Sequence, residues 1–129
     1  MKPLALAVLA AAGCAAGPYA RPYAEIQVDP VRAADPNVIP VILNRVDERN
    51  ARYPDRTTVE PGRRRVTVDV PPRKGFHLAT QETFEIAAEP CTRYYIAARL
   101  ATPVTQEWTP FVRSTERIGE CERRFGTGK

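Results

Sequence analysis

His77 is the single histidine of the 129-residue chain. A general base of this kind needs a nucleophile or acid within hydrogen-bond reach, and no Gly-x-Ser-x-Gly stretch or comparable constellation supplies one. A hydrolase built on His77 is therefore the weaker reading, and an ordinary loop or strand histidine the simpler one. The carboxylates Asp29, Asp47, Asp55, Glu60 and Asp69 are scattered, most of them at predicted strand ends and turns, where such residues serve the backbone. The sequence contains no EF-hand loop, no His-Glu-x-x-His and no phosphate-cradling glycine loop. We assign no catalytic residue, metal ligand or cofactor from the sequence.

Arginine offers more. The net charge of +4 is carried mostly by arginine, since Lys2, Lys74 and Lys129 are the only lysines. Arg63 and Arg65 are expected to point outward from one strand, Arg73 and Lys74 to lie in the loop after it, and Arg93 and Arg99 to flank Tyr95 on another strand. Guanidinium forks suit phosphate and carboxylate, and a tyrosine among them can stack on a sugar. These seven residues form a candidate surface for an anionic ligand. The alternative is that the arginines pair with Glu60, Asp69, Glu82 and Glu85 as ordinary surface charges.

The three cysteines divide by position. Cys14 lies in a leading segment outside the expected domain, which leaves Cys91 and Cys121 as a pair suited to a disulfide in an oxidising compartment. Closing a loop of about thirty residues stabilises by roughly 3.5–4 kcal/mol on the chain-entropy account. Two cysteines without a histidine cluster make a poor zinc site.

These residues must be positioned by short strands, because thirteen prolines argue against long helices. In Arg56–Val70, two β-prone runs flank Glu60-Pro61-Gly62-Arg63, and Pro61 with Gly62 suits a type II turn. Arg64, Val66, Val68 and Val70 alternate with polar residues at the period of a half-buried strand. This predicts a central hairpin. A second hairpin is predicted from Thr80–Ala88 and Arg93–Ala101 around Glu89-Pro90-Cys91-Thr92, with Ile86 facing Tyr94 and Phe84 facing Ile96. Glu25–Asp29 reads as a first or edge strand. Val38–Asp47 reads as a strand covered on both sides or carrying a bulge, with Pro40 near an edge. Asp47–Asn50 is expected to turn, Tyr53 to dock on the core, and Glu107–Val112 to form a last short strand anchored by Trp108.

The N-terminus reads as an address. Met1-Lys2 precedes an apolar run from Leu4 to Ala12, too short to span a bilayer and followed by small residues. Ala12-Gly13-Cys14 resembles the bacterial lipoprotein signal, in which the cysteine becomes the lipidated first residue. The position where that family prefers leucine is Ala11, with Leu9 two residues further back. The alternative is ordinary cleavage, for instance after Ala12. Ala15 is not the aspartate that in some bacteria retains lipoproteins at the inner membrane, so the resemblance implies an outer-membrane anchor facing the periplasm. The organisation expected is a signal over 1–13, a tether over 14–23 reaching at most ~30 Å, a domain over 24–121 and a disordered tail over 122–129.

From Val38 to Leu100 the chain resembles uncharacterised bacterial envelope lipoproteins with transthyretin-like or PEGA-like β-sandwich domains. The shared pattern is Val46-Asp47, then Pro61-Gly62 with Val66 and Val68, then Ala88-Glu89-Pro90 leading into Tyr94-Tyr95-Ile96. Many such domains have glycine where this chain has Cys91. The resemblance implies a small antiparallel sandwich of about seven strands, immunoglobulin- or transthyretin-like, and brings no catalytic residues. The expectation is a non-enzymatic, membrane-anchored protein that binds an envelope protein or anionic glycan, with nucleic acid disfavoured by location. The alternative is an inhibitor or accessory subunit that plugs a loop such as Pro71–Gly75 into an envelope enzyme.

Overall fold

Alternation of apolar and polar residues does produce a two-sheet β-sandwich, but its strands pair differently from the expected hairpins. The computed structural model describes residues 21–30, 35–51, 53, 55–71, 81–102 and 107–126. One sheet contains β1 (Ala24–Val28), β2 (Val38–Ile39), β5 (Arg56–Val59), β8 (Thr92–Leu100) and β9 (Trp108–Arg117). The other runs β4 (Arg49–Asn50), β3 (Ile42–Val46), β6 (Gly62–Asp69) and β7 (Glu82–Ala88). Within the first sheet, β8 carries β9 along one side, with β1 and then β2 along the other. The β1–β8 pair is parallel, a departure from an all-antiparallel sandwich, because both strands start from the same end of the molecule.

Both predicted hairpins are arches that cross between sheets. β5 pairs with β1, whereas β6, directly after Glu60-Pro61, pairs with β3 and β7. Gly62 does adopt a positive φ, +125°, so the expected backbone demand is present although the hairpin is not. Likewise β7 pairs with β6, placing Ile86 beside Arg64 and Phe84 beside Val66, while β8 lies in the other sheet. Ile86, Ala88, Tyr94 and Ile96 therefore meet across the interior instead of sharing a face. The apolar run at Val38 also crosses: β2 joins one sheet and β3 the other, with Pro40 at the break, where a missing N–H costs no ladder bond. Of the two alternatives read from this run, the bulge is the one present, as a register shift between Leu43 and Arg45.

The core is built from both inner faces. Ile26, Val66, Val68, Ile96 and Ala98 are fully buried and Leu100 and Trp108 nearly so, which confirms Trp108 as an anchor. Tyr53 does not dock on this core; it is 55% exposed and makes an isolated bridge to Arg56. β9 is longer than expected, running on to Arg117 through a bulge at Arg113.

A second, smaller cluster closes the arch end. Tyr23, Cys91, Ile118 and Cys121 are buried together, with Phe125 packed edge-on against Tyr23 at 6.5 Å between ring centres. Tyr23 therefore belongs to the fold and not to a tether. The expected tail from Glu122 instead starts as the second half of a helix, α1 (Gly119–Phe125). Its acids Glu120 and Glu122 lie in the first turn and Arg123 and Arg124 in the last, which suits the helix dipole. The Cys91–Cys121 disulfide, with Cα atoms 5.3 Å apart, ties α1 to the second arch as the cysteine count suggested.

Cys91 sits at φ +55°, where any Cβ is costly and glycine is at ease. Breaking the bridge is expected to cost about 3.6 kcal/mol on the chain-entropy account for a loop of this size. A Cys91→Gly/Cys121→Ala double variant should recover roughly 1 kcal/mol relative to Cys91→Ala/Cys121→Ala, read as the difference in urea unfolding midpoint. Equal midpoints would show that the left-handed backbone at Cys91 carries no strain.

Candidate binding surfaces

The outward rows of the two sheets present the side chains singled out from the sequence, and they face opposite ways. On the first sheet, the parallel register sets Glu25 beside Arg93, and the antiparallel register sets Arg93 beside Glu116. Arg93 donates through Nε to Glu25 Oε1 at 2.7 Å and through Nη1 to Glu116 Oε1 at 3.0 Å. The Tyr95 hydroxyl donates to the same Glu116 oxygen at 2.7 Å. Arg93 is held protonated far above the ordinary guanidinium range, chiefly by Glu25. Hydrogen bonds from Tyr95 and then Arg93 lower the Glu116 carboxyl, and the bond to Glu116 raises the Tyr95 phenol. This four-residue ladder satisfies itself. Further along the face, Arg99 lies 4.5 Å over the Phe111 ring and 3.9 Å from Asp35.

On the second sheet, Arg63 and Arg65 project outward with exposed partners, Glu85 at 3.5 Å and Glu48 at 3.7 Å. Pairs so exposed contribute little stability. Arg64 points the other way and braces the first arch. Its Nε donates to the Glu60 carbonyl at 2.9 Å, Nη2 to the Pro61 carbonyl at 3.0 Å and Nη1 to Asp47 Oδ2 at 3.0 Å. Asp47 Oδ1 also accepts the Arg65 N–H at 3.0 Å.

The seven-residue surface is thus not one surface. Arg63 and Arg65 lie on one outer face and Arg93, Tyr95 and Arg99 on the other; Arg73, Lys74, His77 and Cys14 lie outside the described residues. Pairing with acids does occur, but of the four acids named from sequence only Glu85 is, among the described residues, a partner of these arginines. Glu25 and Glu116, which complete the ladder, were missed because partners brought together by strand register leave no local mark in the sequence.

Hollows open on the surface formed by the described residues, two of them beside these side chains. One, of about 480 Å³, lies beside the β8–β9 ends and is lined by Glu82, Arg99, Leu100, Glu107, Trp108 and Thr109. The other, of about 440 Å³, lies on the outer face of the second sheet and includes Arg45, Asn50, Arg65, Thr67 and Thr83. Among the described residues no group of three or more His, Cys, Asp or Glu side chains is placed to hold a metal ion, and no helix is long and apolar enough to cross a membrane. No protein-family profile, curated protein or solved structure matches the chain.

Asp47 is held below its ordinary value of 3.8, first by the Arg65 N–H and then by the Arg64 guanidinium. A carboxylate whose folded value is depressed stabilises above the ordinary range, and that contribution is lost as pH falls through it. Asp47→Asn keeps a residue that tolerates the φ of +55° found here. It should cost under about 1 kcal/mol at neutral pH, the carboxylate being 36% exposed. The gap to the parent should close as pH drops below about 4. A gap constant over the whole range, by urea titration at successive pH values, would contradict this account.

Proposed function

We propose that this chain is a bacterial envelope lipoprotein, anchored through lipidated Cys14 at the outer membrane and facing the periplasm. Its sandwich binds another envelope component in a structural or interaction role. The observation that carries the compartment is the Cys91–Cys121 bond buried beneath α1, since reducing compartments keep such pairs as thiols. The resemblance of Ala12-Gly13-Cys14 to a lipoprotein signal supplies the anchor, and the sandwich fits the envelope domains that the order of motifs resembles.

The topology supports a definite arrangement of such an anchor. Arg21 and Tyr23 enter at the end that holds both arches and α1, with Tyr23 packed against the disulfide. The segment from Cys14 to Arg21 reaches at most about 25 Å. A lipid on Cys14 would turn the arch end toward the bilayer and leave both outer sheet faces open to partners. An interaction role is favoured over catalysis because the polar ladder of Glu25, Arg93, Glu116 and Tyr95 is occupied with itself.

Intact mass of the native protein taken from membranes, with thiols alkylated before and after reduction, tests this directly. The expected product is a diacylated or triacylated chain starting at Cys14, with Cys91 and Cys121 alkylated only after reduction. An unprocessed chain with three reactive thiols would overturn the compartment and the anchor together.

A further inference from the structure

The bulge in β3 changes what Arg45 faces. On the β6 partner, one step from Val68 to Thr67 matches two steps on β3, from Leu43 to Arg45, so Asn44 is the extra residue. Without it, Arg45 would follow Leu43 into the core; with it, Val46 takes the buried position and Arg45 stands beside Thr67 on the outer face. Bulges re-aim side chains in this way. Strand register then lines up Asn50, Arg45, Thr67 and Thr83 across all four strands of the sheet, about 4.8 Å apart. Thr67 and Thr83 join their hydroxyls at 2.9 Å, and all four residues line the 440 Å³ groove.

Arg45 differs from the three arginines of β6. Arg63, Arg64 and Arg65 each have an acid partner, whereas Arg45 has neither an ion pair nor a hydrogen bond among the described residues. It is also partly buried, so its charge is set into the groove without being met by a described side chain. Among the described residues the remaining lining, Asp47, Glu48 and Arg65, is charged, and no apolar side chain is part of it. A protein partner would need an apolar centre to its footprint, which this groove lacks.

We propose that the groove binds an acidic saccharide. Arg45 takes a sugar carboxylate through its guanidinium fork, while the Asn50 amide and the Thr67 and Thr83 hydroxyls bond ring hydroxyls along the row. Arg65 and Glu48, already joined at 3.7 Å, border the site toward the arch end. The choice of a glycan rests on the envelope reading above. The binding test uses purified protein, so it succeeds or fails independently of the compartment.

The test is an NMR titration of the purified full chain with oligogalacturonate, with neutral galactose oligosaccharide and a glutamate-rich peptide as comparisons. Oligogalacturonate should shift the Arg45 side-chain Nε–H and the Thr67 and Thr83 amides. Arg45→Gln should weaken binding at least about tenfold, Thr83→Val should weaken it less, and Arg63→Gln should leave it unchanged. Unchanged amide dispersion in the variants excludes misfolding as the cause. Saturable shifts that survive Arg45→Gln, or no shifts at all, would overturn the proposal. An equal response to the glutamate peptide would transfer the site from glycans to acidic peptides and overturn it as stated.

Discussion

Cys91 is the residue through which the ends of this sandwich are joined. Its N–H donates to the Tyr23 carbonyl at 2.6 Å, its carbonyl accepts the Ile118 N–H at 2.9 Å, and its sulfur is bonded to Cys121. Its positive φ also turns the chain from one sheet into the other. One buried residue therefore holds the entry of β1, the start of β8 and the helix after β9. The parallel β1–β8 pair follows from this, since Tyr23 and Cys91 are bonded where both strands begin. A glycine would make the turn with less strain but would leave α1, with Cys121 as its only buried residue, without a covalent hold.

The two arches are braced by the same strategy with different chemistry. Each follows Glu-Pro, each places a positive-φ residue third, and each is held by a side chain from the strand that follows. Arg64 holds the carbonyls of Glu60 and Pro61. Tyr94 accepts the Glu89 N–H at 2.8 Å and donates to the Ala87 carbonyl at 3.3 Å. Both braces start from inward positions, so the inner row of a strand serves the core along most of its length and the backbone of the arch at its beginning. That is why Arg64 occupies a position that alternation alone would assign to an apolar residue.

The sequence made the faces of the strands legible, but not their partners. Val66 and Val68, or Tyr94 and Ile96, alternate correctly whether the preceding turn is a hairpin or an arch, because period two records only which side is buried. Proline followed by a positive-φ residue serves both connections equally well. The strand segments at Glu25, Arg56–Val70, Thr80–Ala88 and Arg93–Ala101, the role of Trp108, the positive φ of Gly62 and the cysteine pair could be read locally and hold. The Val38 run, read as one strand, is instead two, and Arg49–Asn50, read as turn, is a strand. Helix α1 could not: seven residues with one buried position show no amphipathic stripe, and a helix that short depends on tertiary contacts. The single basic surface failed for the same reason as the hairpins, since outward positions on two strands make one surface only when both strands lie in one sheet, and β6 and β8 lie in opposite sheets.

The bulges were the harder feature to read, and they set the polar chemistry of both faces. In β9 the extra residue is Arg113, whose guanidinium is met by Asp29 at 3.0 Å, close to the end of β1. In β3 the extra residue is Asn44, whose amide donates to Asp69 at 3.0 Å and leaves Arg45 turned outward. Each irregularity brings an arginine to the outside of a sheet, but only Arg113 receives a carboxylate there. A bare guanidinium in full solvent would need no explanation. Arg45 is partly withdrawn from water beside the buried Thr67, where lost hydration favours an acidic partner, and among the described residues none is paired with it. The bulge is what turns this charge into the groove; an unbroken register would carry Arg45 toward the core.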